Sequence, residues 1–124
     1  MKNSGSAKFF SRLLIMPRAA DLPVTASEET VILARNLEEL IPAFIENRRK
    51  ELEELRGALD AGRYEQLGQL GHRMRGIGTS YGFDRVSILG GAIEDQARIA
   101  DRDGLAARIA EYAEYLERVK VVYE

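Results

Sequence analysis

Apolar side chains recur every three or four residues from about residue 41 onward, in four blocks separated by glycine or aspartate. The first block opens at Asn36, a candidate cap with Glu39 three residues later, and carries Ile41, Ile45, Leu52, Leu55 and Leu59. Arg48 interrupts its stripe. Pro42 removes one backbone bond, so it either kinks this helix or marks the start of its main portion. Beyond Gly62 the second block, from about Arg63 to Tyr81, aligns Leu67, Leu70, Met74, Ile77 and Tyr81. After Gly82 a third helix is expected, capped by Asp84, with Val86, Leu89, Ile93, Ala97 and Ala100 facing inward. Residues 101–104 make the next turn. The last block carries Leu105, Ile109, Tyr112, Leu116, Val119 and Tyr123 in alternating steps of four and three.

Four amphipathic helices of about 17 to 24 residues, joined by connections of a few residues, predict an all-α fold: an antiparallel up-down four-helix bundle with an N-terminal arm. The arm is assigned residues 1–30 and the bundle residues 31–124. Residues 29–34 are short, apolar and partly β-branched, and periodicity leaves them extended or helical. In residues 1–26, Lys2, Lys8, Arg12 and Arg18 against Asp21 give +3, which leaves −5 for the remainder of a chain whose net charge is −2. Ser11 and Arg12 break the apolar pieces of this stretch, a poor match to a secretory leader, so a mobile or peripherally packed arm is expected. The arginines and lysine at 48–50 have acidic neighbours at 51, 53 and 54, the pattern of a wet helix face.

A length of 124 residues, 45% of them hydrophobic and 31% charged, fits one globular domain. There is no cysteine, hence no disulfide framework and no thiolate chemistry, in keeping with a cytoplasmic protein. The small negative charge offers no basic field for nucleic acid, and no apolar run approaches the roughly 20 residues that span a bilayer. Neither a nucleic-acid nor a membrane partner is expected.

The chain's one histidine lies in the second block. With Leu70 at zero and 100° per residue, Met74, Ile77 and Tyr81 fall at about 40°, −20° and 20°, whereas His72 falls at about 200°. The ring therefore points to solvent. Gly68, Gly76, Arg75 and Thr79 share its side of the helix, at about 160°, 240°, 140° and 180°. Gly68, Gly71, Gly76 and Gly78 each cost a helix interior about 1 kcal/mol relative to alanine, so propensity did not choose them. Gly71 and Gly78, at the flank of the stripe, suit close packing; Gly68 and Gly76 suit access for a partner. On geometry alone all four remain equally open to a packing role, with His72 an ordinary surface residue. Chemically, an imidazole in water keeps a neutral nucleophilic nitrogen at cytoplasmic pH, and Arg75, with Arg73 nearby, offers positive charge to phosphoryl oxygens. There is no nucleotide-binding glycine loop, no metal-ligand cluster around the histidine and no serine-histidine-aspartate set.

The run from Gly71 to Phe83, Gly-His-Arg-Met-Arg-Gly-Ile-Gly-Thr-Ser-Tyr-Gly-Phe, resembles the signature of histidine phosphotransfer (HPt) domains: histidine, any residue, leucine, lysine, glycine, small residues and a later glycine. Met74 stands at the apolar position, Arg75 replaces the commoner lysine, and Gly76 is retained. Residues 88–94, Ile-Leu-Gly-Gly-Ala-Ile-Glu, resemble the family's following helix, which places Glu94 where an acidic or amide residue contacts the histidine. Arg98 resembles a basic residue that some members direct at the same site. The resemblance covers residues 36–123.

It implies a phosphorelay intermediate without a kinase domain of its own. His72 would take a phosphoryl group from a receiver-domain aspartate, for instance that of a hybrid histidine kinase, and pass it to the receiver of a response regulator. Glu94 would orient the ring, Arg75 would steady the moving group, with Arg98 a further candidate, and Gly68, Gly76 and Thr79 would admit the partner. No cofactor is expected on this chain; magnesium belongs to the receiver. The alternative is an adaptor that docks a receiver or kinase without holding phosphate.

Overall fold

In the computed structural model residues 29–124 are described, and they run β1 (Thr30–Leu33), a 3₁₀ turn (Arg35–Leu37), α1 (Ile41–Asp60), α2 (Tyr64–Ser80), α3 (Asp84–Arg98), α4 (Arg102–Arg118) and β2 (Lys120–Tyr123). Residues 1–28, and with them nearly all of the expected arm, lie outside the described residues.

Proline decides where α1 begins. A helix running on from Asn36 would hold Pro42 in its interior, where the ring meets the carbonyl four residues back and one bond is lost. The chain instead spends Arg35–Leu37 in a 3₁₀ turn and starts α1 at Ile41, so that Pro42 sits in the first turn, where the missing N–H costs nothing. Asn36 is therefore no cap, and Leu40 takes that place without a side-chain bond. Gly62 and Gly82, at φ +69° and +84°, turn the chain on either side of α2. Phe83, wholly buried, precedes α3, so Asp84 occupies its first turn rather than its cap. The next turn differs from expectation too: α3 ends at Arg98 and Ala100 turns left-handed at φ 52°, exposed rather than inward. Asp101 then caps α4, its carboxylate accepting from Gly104 N–H at 3.0 Å.

The core follows the stripes. Leu55, Leu67, Met74, Val86, Ile93, Leu105 and Tyr112 are fully buried, and Phe44 stacks on Tyr81 and Phe83 with centroids 4.6 and 4.7 Å away. Three charged residues are buried as well, Glu29, Arg48 and Glu51. Arg48, expected on the surface with Arg49 and Lys50, is 6% exposed; its Nε lies 3.1 Å from Glu51 Oε1 and its guanidinium covers the Phe44 ring at 4.9 Å. Glu51 Oε1 also accepts from Tyr112 Oη–H at 2.9 Å, so the buried carboxylate has a cation and a hydroxyl as partners. Burial pushes the Glu51 carboxyl above the usual carboxylate range, against the pull of Arg48 and Tyr112, and it raises the Tyr112 hydroxyl as well. Arg49 and Lys50 are exposed.

The helical expectation is corrected at the ends of the described chain. α4 stops at Arg118, and Val119, extended at φ −63° and ψ 133°, leads into β2, which pairs in parallel with β1, Ile32 opposite Val122 and Leu33 opposite Tyr123. Val119, Val121 and Val122 lose rotamer freedom in a helix and fit a pleated strand, which outweighs the three-and-four spacing of Leu116, Val119 and Tyr123. Parallel neighbours need a long crossover, and here all four helices supply it. Bonds from Arg35 N–H to Glu124 O and from Glu124 N–H to Leu33 O, each 2.9 Å, extend this pairing, and Leu33, buried in the core, fastens the small sheet to the bundle.

Candidate functional site

The site is made where α2 and α3 touch. A Cβ on Gly71 would lie 2.7 Å from both Glu94 N and Gly90 O, and one on Gly90 would lie 2.7 Å from Arg75 N and Gly71 O. Any larger residue would force the backbones apart. Gly78 has the same character, since a Cβ there would stand 2.6 Å from Ser87 N and Oγ. One residue beyond Gly71 on α2 is His72; one turn beyond Gly90 on α3 is Glu94.

His72 projects from the middle of α2 with its side chain 73% exposed, as the helical wheel required. Its Nδ1 lies 3.0 Å from Glu94 Oε2, and because a carboxylate only accepts, Nδ1 carries the proton and donates. That fixes the tautomer and leaves Nε2, the nucleophilic nitrogen, with no partner among the described residues. Glu94 is held in turn: its side chain is 21% exposed, and Oε1 lies 3.3 Å from Arg75 Nη1.

Arg75 lies across α3 rather than reaching along α2. Besides Glu94 it approaches Gly91 O at 3.5 Å and Asp95 Oδ1 at 3.8 Å, both through Nη2. Gly91 makes the room, for a Cβ there would stand 2.9 Å from that same Nη2. Arg98 lines an open depression of ≈ 520 Å³ together with His72, Glu94, Gly68, Gln69 and Glu65, but its guanidinium pairs with Asp95 at 3.3 Å.

Gly76 has nothing within 4 Å of where a Cβ would be, and Gly68 meets only Ala97 Cβ at an ordinary 3.7 Å, so packing within this chain demands neither glycine. Thr79 is tied to α3 instead: its N–H donates to Ser87 Oγ at 2.7 Å and the two hydroxyls share a bond of 2.8 Å. Of the residues singled out from sequence, His72, Glu94 and Arg75 are thus in direct contact, Arg98 stands at the rim, and Thr79 lies two turns away. Gly91 and Asp95 were missed as positioning groups. Asp95 stands three residues before Arg98, a spacing that pairs charges on a helix, which was the one available signal.

Among the described residues no three His, Cys, Asp or Glu side chains are grouped to hold a metal ion, and no helix is long and apolar enough to cross a membrane. The family model of the Hpt domain matches residues 39–121, more than half of the 124 residues. No curated protein and no solved structure matches the chain.

Proposed function

This chain belongs to the family of Hpt domains, phosphocarrier modules of histidine phosphotransfer that work with response-regulator receiver domains in two-component phosphorelays, and from that premise we propose that His72 is its phosphate-carrying residue. The observation that carries this assignment is the solvent-facing imidazole whose Nδ1–H is engaged by Glu94, which presents Nε2 outward.

The reaction then follows from the groups present. The Nε2 lone pair attacks the phosphorus of an aspartyl phosphate on a receiver, the acyl P–O bond breaks, and its electrons return to the aspartate carboxylate. With Nδ1 still protonated, the phosphorylated ring is a cation, and the Glu94 carboxylate 3.0 Å away stabilises it. Arg75 balances the charge of the transferred group, which is the main help phosphoryl transfer takes from a protein. The reverse step delivers the group to a second receiver. Gly76 and Gly68, which intrachain packing does not require, leave the α2 surface low enough for a receiver loop to approach the ring. In this assignment the donor is the receiver of a hybrid histidine kinase, the acceptor a response regulator, magnesium sits on the receiver, and the exchange takes place in the cytoplasm. The helices are taken to run antiparallel, up and down, as their short connections imply.

The test is transfer itself. Mixed with a panel of phosphorylated receivers, the wild-type chain is expected to acquire an acid-labile label and drain at least one of them, whereas His72→Gln acquires none. Stable binding of a receiver by the unlabelled wild type would make the protein a docking adaptor and end the carrier assignment.

A further inference from the structure

Five side chains of alternating character form an unbroken series across α2 and α3: Arg98, Asp95, Arg75, Glu94 and His72. Within it a single oxygen, Asp95 Oδ1, is shared between Arg98 Nη2 at 3.3 Å and Arg75 Nη2 at 3.8 Å. Arg98 lines the depression that holds the His72 ring, yet its guanidinium is turned to Asp95. Asp95 and Arg98 are 60% and 66% exposed, and ion pairs so open to water exchange partners at little cost. A phosphoryl group on Nε2 would bring up to two negative charges and three acceptor oxygens into the same depression, a better counterpart for a guanidinium than one carboxylate oxygen. The other carboxylates facing the ring are already placed: Glu94 is bound to His72 and Arg75, and Glu65 lines the depression from α2.

We propose that Asp95 is a positioning residue for the phosphorylated site: it holds Arg98, and more loosely Arg75, away from His72 in the resting protein and competes with the phosphoryl group for both once His72 is loaded. This role presupposes the carrier function of His72 proposed above. Its consequence is that the charge of residue 95 sets how strongly the arginines stabilise phosphohistidine, and so how the phosphoryl group divides between this protein and its receivers.

The experiment loads the full chain chemically, without any partner. Phosphoramidate donates to His72: Nε2 attacks phosphorus, the P–N bond of the reagent breaks, and ammonia leaves. The ³¹P resonance followed against pH then reads protonation of the bound phosphoryl group, which nearby guanidinium charge drives to lower pH. Asp95→Asn is expected to lower that midpoint by roughly half a pH unit, less than the shift of a buried contact because these charges are open to water. In an Arg98→Ala background the same substitution is expected to produce less than half that shift. An equal shift in both backgrounds would show only the lost field of a carboxylate and would overturn the proposal, as would no shift at all. Thermal melts confirm that these exposed substitutions leave the fold intact. Failure of the wild type to load at His72 is a separate result, which overturns the carrier function itself.

Discussion

Glu94 Oε2 lies 3.0 Å from His72 Nδ1, although the two residues stand on different helices and meet only because Gly71 and Gly90 let those helices touch. The carboxylate accepts from the ring through Oε2 and forms an ion pair with Arg75 through Oε1, so it fixes the tautomer and draws the guanidinium toward itself.

Removing that acceptor releases the ring. Glu94→Ala is expected to populate both imidazole tautomers and to slow loading from a phosphorylated receiver about 10- to 100-fold, the usual cost of losing a group that orients a reactive side chain. Glu94→Gln keeps an oxygen that accepts from Nδ1–H and retains more of the rate. Nitrogen-15 shifts of the His72 ring and initial labelling rates read the two effects; unchanged tautomers in Glu94→Ala would contradict the orienting role.

The glycines of α2 separate into two kinds. Gly71→Ala sets a methyl 2.7 Å from backbone atoms of α3 and is expected to cost about 1 to 3 kcal/mol, because the helices must part. Gly76→Ala meets open space and is expected to gain up to about 1 kcal/mol from helix propensity. Urea midpoints give both signs. Gly76→Leu extends the comparison to function: receiver-driven labelling falls while loading by phosphoramidate stays at the wild-type rate.

Tyr112→Phe deletes the hydroxyl that donates to Glu51, leaving a buried carboxylate with Arg48 alone. A loss of about 1 to 3 kcal/mol in unfolding free energy is expected, and labelling of His72 in the folded fraction should be unchanged.

The same carboxyl gives stability a pH dependence of known sign. Burial raises Glu51 above its ordinary value of 4.5. Below that value folded and unfolded chains both carry the proton and the group costs nothing. As pH rises through the raised folded value, the folded chain must bury a charge that the unfolded chain holds in water, and that share of stability is lost. Unfolding free energy of wild type minus that of Glu51→Gln should therefore fall as pH climbs from about 4.5; a flat or rising difference would contradict the buried carboxyl.

Much of this was legible in the pattern of side chains. The stripe through Leu67, Leu70 and Met74 placed His72 on the wet side of α2, and the residues around it identified the family, because both rest on local periodicity and on a short motif. What escaped were features that depend on contacts between distant segments. Pairing of Thr30–Leu33 with Lys120–Tyr123 joins stretches some 90 residues apart, and nothing local distinguishes Val119 in a last helical turn from Val119 entering a strand. Arg48 reads as surface until α4 brings Tyr112 against Glu51, the partner of Arg48 one turn along α1. Asp95 likewise looks like any solvated carboxylate until Arg75 crosses from α2.

The central claim is that Nε2 of His72 carries the phosphoryl group while Glu94 occupies Nδ1. Identifying the phosphorylated atom after transfer from a receiver, by phosphorus–nitrogen coupling in ¹⁵N-histidine-labelled protein, tests it directly. The expected result is a single phosphohistidine at residue 72 substituted on Nε2 with Nδ1 protonated. Phosphate on Nδ1, or label that persists in His72→Gln, would contradict it.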